Sequence, residues 1–170
     1  MNRLNDLELG DFPGLELFPG KITRSMYQVE REELISRWLI DPEMAHLAAL
    51  WVLMLRIRFR IPIRIISGRR SRQATLELIS KGRPAVLNSQ HRLGNALDWT
   101  IDPEYYSGYA VFAGLLWTAW GRTWGGLFCR PDWNHIDGRV LDWTLPGYDL
   151  RISKAVESVK SGVFQWKSAC

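Results

Sequence analysis

Two Asp-Pro-Glu tripeptides, at residues 41–43 and 102–104, do most to limit what this chain can fold into. In each, Asp is a helix N-cap and Pro takes the first helical position, where its missing N–H costs nothing. Glu then sits in the first turn, near the positive end of the helix. A strongly apolar stretch follows each one. After the first, Met44, Leu47, Ala48, Trp51, Val52 and Leu55 repeat at the i, i+3, i+4, i+7 spacing of a core-facing stripe. After the second, apolar residues run through Trp120, and Gly121 ends the helix. Two such helices need a common core. A chain of 170 residues, 46% hydrophobic and with nine Trp, can build one without disulfide staples.

Between and beyond these helices the pattern is mixed. A shorter amphipathic helix is expected from Gln28 to Leu39, and Ser71 caps another that runs to Ser80 and stops at Gly82, with Pro84 beyond. Residues 56–66, RIRFRIPIRII, alternate until Pro62 breaks them, which reads as a helix end, a turn and a buried strand at Ile63–Ile66. Ala96 to Ile101 is strand-like, and Trp124 to Trp143 suggests two short strands. The expected architecture is one α+β domain, a small antiparallel sheet with helices packed around it. Residues 1–25 read as an irregular arm, 26–150 as the domain, and 151–170 as a C-terminal helix, from Ser153 to Lys160, with a tail.

The formal charge of +4 and a pI near 9.3 favour a polyanionic neighbour: nucleic acid, anionic lipid or an acidic wall polymer. Nucleic acid would rest only on Arg56, Arg58, Arg60 and Arg64, which serve as well as helix C-terminal charges and a solvated strand face; no nucleic-acid partner is expected. The longest apolar stretch, Met44 to Leu55, is too short to span a bilayer, and Met1 to Leu9 lacks the apolar core of a signal peptide. Cys129 and Cys170 form no metal or disulfide framework, and Cys129 reads as a small partly buried thiol.

Three histidines remain to be weighed. His46 falls inside the second helix, where a boundary histidine with an ordinary partner is the default. His91 and His135 each have a carboxylate at short spacing in a stretch that reads as non-helical: Ser89-Gln90-His91-Arg92-Leu93-Gly94-Asn95-Ala96-Leu97-Asp98 and Asp132-Trp133-Asn134-His135. Catalytic zinc takes three protein ligands from His and Asp or Glu. A further carboxylate that is not a ligand must accept the proton of the attacking water. The inventory is present: His91, Asp98 and His135 as ligands, with Asp132 or Asp137 as base.

At these residues the chain resembles a known family. Ser-x-His-x-x-Gly-x-Ala-x-Asp at Ser89 to Asp98 is similar to the first zinc motif of the M15 peptidases. These are D-alanyl-D-alanine carboxypeptidases, dipeptidases and L-alanyl-D-glutamate endolysin peptidases that cut peptidoglycan stem peptides. Asp132 to His135 matches the second motif, an acid three positions before a histidine. Ser67-Gly68-Arg69-Arg70-Ser71 resembles the family's Ser-Gly-Tyr-Arg-Ser turn, with Gln73 in the expected place, and Trp124-Gly125-Gly126 its Trp-Gly-Gly. The resemblance runs in order from about Asp41 to Asp137.

The resemblance implies the fold of that family and bound Zn²⁺ on His91, Asp98 and His135. It implies Asp132 as general base and Arg70 holding a substrate carbonyl or carboxylate. Ser89 and Gln73 would be supporting polar residues that bind substrate. The implied activity is hydrolysis of the stem peptide, with the L-Ala–D-Glu bond favoured over terminal D-Ala–D-Ala. The implied setting is a bacteriophage lysis enzyme or virion-borne lysin, held in the host cytoplasm before release to the wall or carried in the virion beside other virion proteins. The alternative is a catalytically idle structural or wall-binding virion protein on the same fold. Two positions depart from the pattern: Arg69 stands where the family usually has an aromatic, and Ile136-Asp137 follow His135 where an aromatic and a variable residue are usual.

Overall fold

The computed structural model describes residues 17–83, 85–101, 106–128, 132–142 and 147–161. The expected Asp102-Pro103-Glu104 start, Pro84, Cys129 and both ends of the chain lie outside these residues. Among the described residues are six α-helices: α1 (Arg24–Ser36), α2 (Pro42–Leu53), α3 (Arg72–Ser80), α4 (Gln90–Leu93), α5 (Tyr106–Ala119) and α6 (Tyr148–Ser161). Four strands, β1 (Arg64–Ser67), β2 (Ala96–Thr100), β3 (Arg122–Trp124) and β4 (His135–Val140), form one antiparallel sheet in the order β1-β2-β4-β3. No described helix is long and apolar enough to cross a membrane.

Local chemistry sets most boundaries. Asp41 caps α2 through the Glu43 amide at 2.9 Å with Pro42 at the start, and Ser71 caps α3 through the Ala74 amide at 3.1 Å. Helix α1 begins earlier than its apolar pattern suggests, because the Thr23 hydroxyl accepts from the Met26 amide. It also ends earlier, since Leu39 turns into the left-handed region (φ 54°). After α2 the chain winds one wider π turn, Met54–Arg58, before Pro62 and β1, so Arg56 and Arg58 belong to a helix end while Arg64 opens the strand. Helix α6 starts several residues before Ser153.

The stretch that carries His91 is not wholly irregular, against expectation. His91 lies in a helical turn, α4, which is too short to show as periodicity in the sequence. Gly94 ends that turn in the left-handed region (φ +74°), where a Cβ would stand 2.7 Å from the Leu39 carbonyl oxygen.

The core lies between the sheet and helices α2 and α5. Trp51, Trp99 and Trp117 pack edge to face, with ring centroids 5.6 and 5.8 Å apart. The Trp51 indole N–H donates to the Ala113 carbonyl at 2.9 Å, and that of Trp117 to the Asp137 carbonyl at 3.0 Å. Trp124, fully buried, is clasped between Gly114 of α5 and Gly126, and a methyl group on either would overlap its indole. Gly114→Ala is therefore expected to cost about 1–3 kcal/mol through overpacking. Urea denaturation of the variant beside the parent chain measures it; an unshifted midpoint would show that α5 and Trp124 do not meet this closely.

Candidate metal centre

The register of β2 against β4 places Asp98 directly across from His135. Their side chains leave the sheet on the same face, since Leu97 and Ile136, one position along, are fully buried on the other. The turn of α4 brings His91 to the same point. Around it, His91 Nε2 lies 2.9 Å from Asp98 Oδ1 and 3.3 Å from His135 Nδ1, and the last two atoms are 3.2 Å apart. This His91–Asp98–His135 group is the one set among the described residues that can hold a metal ion.

Zinc bonds of about 2.0–2.1 Å at tetrahedral angles put neighbouring ligand atoms roughly 3.3 Å apart, close to the three separations here. The outward atom of each ligand is already taken. His91 Nδ1 donates to the Gly68 carbonyl at 2.7 Å, leaving its Nε2 lone pair facing inward. Asp98 gives Oδ2 to the Arg70 guanidinium. His135 donates from Nε2 to Asp137 Oδ2 over a long 3.4 Å, which leaves Nδ1 facing inward. With His135 neutral, three electron-pair donors converge on a single point, an arrangement that calls for a cation or a proton at its centre.

The other sequence-derived residues fall at varied places. Arg70 is part of the cluster: its amide donates to the His91 carbonyl at 3.1 Å and its Nε to the Ser67 hydroxyl at 3.1 Å, besides the ion pair with Asp98. Asp132 is exposed, three positions before His135. Its amide donates to the Gly125 carbonyl and its own carbonyl accepts from the His135 amide, so one tight turn ties it to the ligand. That turn lies against Gly125, where a Cβ would stand 2.9 Å from the Cβ of His135. Ser89 precedes α4 at the N-cap position without a side-chain cap bond, and its carbonyl accepts from the Arg92 amide. Gln73 is exposed on α3, where it donates to Glu77 at 3.4 Å. His46 hydrogen-bonds the Tyr27 hydroxyl, an ordinary partner away from the cluster.

Residue patterns left Asp137 open as a base and gave Arg139 no role. Asp137 is wholly buried behind His135, and Arg139 grips it with Nε at 3.0 Å and Nη2 at 2.6 Å. The signal was present in strand alternation: in β4, residues 135 and 137 point to one side.

The three aspartates are held differently. Burial alone would raise Asp98, but hydrogen bonding with His135 and His91 and the charge of Arg70 hold it well below the usual carboxylate range. Burial would likewise raise Asp137, and His135 and Arg139 bring it down. Asp132 is pushed up, by the partial burial of its carboxylate and the charge of Asp98 against the opposing charge of His135. Burial would lower His135, yet its hydrogen bonds to Asp137 and Asp98 raise it to about 9.

In the metal-free protein His135 is protonated at neutral pH, so its contribution to stability is complete below about 6.5 and is lost as pH rises through about 9. A metal at Nδ1 displaces that proton. Divalent metal binding near pH 7 is expected to release about one proton from this site and to tighten as pH rises toward 9. Calorimetric titration in buffers of different ionisation enthalpy reads the release directly. His91→Ala and His135→Ala are expected to abolish binding, and normal metal content in both would refute the site.

No family model matches the sequence, and no curated protein matches it. Among solved structures, the crystal structure of the Serratia marcescens L-Ala D-Glu endopeptidase ChiX is similar, at 17% identity and a TM-score of 0.49. The match covers 78% of this chain and 96% of that one. A likeness of that degree says nothing of what this chain does.

Proposed function

We propose that the chain is a zinc-dependent peptidase that hydrolyses the peptidoglycan stem peptide, between L-Ala and D-Glu in preference to terminal D-Ala–D-Ala. The observation that carries the reading is the convergence of His91 Nε2, Asp98 Oδ1 and His135 Nδ1, each with its outward atom already bonded. Two neutral imidazoles and one carboxylate are the donor set of a catalytic rather than a structural zinc site, because three ligands leave a fourth position open. The sequence motifs around them supply the substrate class.

When bound, the ion would polarise the scissile carbonyl and acidify the attacking water. Asp132 would take the water's proton and pass it to the departing amine. Its exposed place beside His135 suits that task, and its raised pKa brings it closer to working pH than an ordinary aspartate. Arg70 has two tasks in this reading. It fixes Asp98 through Oδ2, and its remaining N–H groups would meet the substrate carbonyl or carboxylate as negative charge develops there. Ser89 and Gln73 would be supporting polar contacts for the peptide.

The setting proposed is a phage enzyme that opens the bacterial wall, freed into the host cell or carried on the virion, with a basic surface suited to an anionic wall. An idle wall-binding protein would have no need of a base held beside three intact ligands.

Asp132→Asn separates these readings, since it keeps volume but cannot accept a proton at neutral pH. The rate is expected to fall by about a hundredfold to ten-thousandfold with metal content unchanged. Asp98→Asn is expected to lose metal as well. On purified wall, mass analysis should find new free amino groups and no new reducing sugar ends. Metal binding without any cleavage would favour the idle protein, and release of D-Ala alone would reassign the bond.

A further inference from the structure

We infer that Asp137, held by Arg139, is a positioning residue that fixes His135 in the tautomer whose Nδ1 can bind the metal; this rests on the metal reading proposed above. A neutral imidazole carries a single N–H. Asp137 Oδ2, 3.4 Å from Nε2, would accept it there and leave the lone pair on Nδ1, facing Asp98 and His91. The carboxylate has little freedom to do otherwise. Its Oδ1 accepts from both the backbone amide and Nε of Arg139 at 3.0 Å, and its Oδ2 from Nη2 at 2.6 Å. Its backbone carbonyl accepts from the Trp117 indole, and Thr123 and Ala96 flank it across the sheet. With no exposed surface it cannot exchange a proton with solvent, which removes it as the base.

The other two ligands differ in this respect. The tautomer of His91 is set by the Gly68 main-chain carbonyl, which no side-chain change removes, and Asp98 has no tautomer to set. His135 alone depends on a side chain, and that side chain depends on Arg139, half exposed at the surface and with its guanidinium 5.7 Å from the Phe128 ring. An amide at position 137 would still offer its oxygen to Arg139. Its NH₂ would then face His135 Nε2, turning that nitrogen into an acceptor and moving the proton to Nδ1, into the metal position.

The test uses ¹¹³Cd with ¹⁵N-histidine-labelled full-length protein. Expected in the parent chain are cadmium couplings at His135 Nδ1 and His91 Nε2, with His135 Nε2 protonated. Asp137→Asn should weaken cadmium binding by about 10–100-fold and shift the His135 nitrogen signals, leaving those of His91 in place. Arg139→Gln, at a half-exposed side chain, should weaken binding less, and it decides the matter if Asp137→Asn does not fold. Coupling through His135 Nε2, or parental affinity in the folded variants, would overturn the inference while leaving the metal site standing. Failure of the parent chain to take up cadmium would be a different result, sinking the metal reading and the inference with it.

Discussion

In the antiparallel pairing of β2 with β4, Asp98 faces His135, and both side chains emerge on one side of the sheet. A slip of one residue would send one of them to the opposite face and the site would vanish. The register is held by what lies on that opposite face, where Leu97, Trp99 and Ile136 are all fully buried. Two further bonds lock it: the Trp99 amide donates to the Asn134 carbonyl at 2.9 Å, and the Asn134 side chain donates to the Trp99 carbonyl at 2.6 Å. Apolar burial on one face thus sets polar geometry on the other.

The tryptophans connect that core to the site. The Trp117 indole reaches from α5 to the Asp137 carbonyl, and the Trp124 indole donates to the Trp133 carbonyl at 3.1 Å, in the turn between Asp132 and His135. Trp124 is in turn fixed by the glycines on either side of it. Packing density here is a positioning device, because a close-packed interior transmits a displaced ring to whatever hangs from it.

Three aspartates within one small region are made chemically different by their neighbours. Asp98 has an arginine and two histidines, Asp137 has an arginine and one histidine, and Asp132 has a backbone amide, that of Asn134, and partial solvent. The first two are held ionised and the third is left easier to protonate. Environment separates identical side chains into ligand, support and base candidates.

The sequence by itself determined two helix starts, since caps and Pro at the first helical position act within a few residues: Asp41-Pro42 and Ser71 open α2 and α3 where expected. It also determined the spacing of His91, Asp98, Asp132 and His135, and the small mixed architecture implied by apolar stripes beside short alternating runs. Tertiary structure decided the rest. That His91 stands on a helical turn, that Arg70 is tied to Asp98, and that Asp137 lies behind His135 in the grip of Arg139 all depend on which strand pairs with which. Local patterns act over a few residues along the chain. The meeting of residues 91, 98 and 135 depends on strand register and on the burial that fixes it, and neither is encoded at any one position.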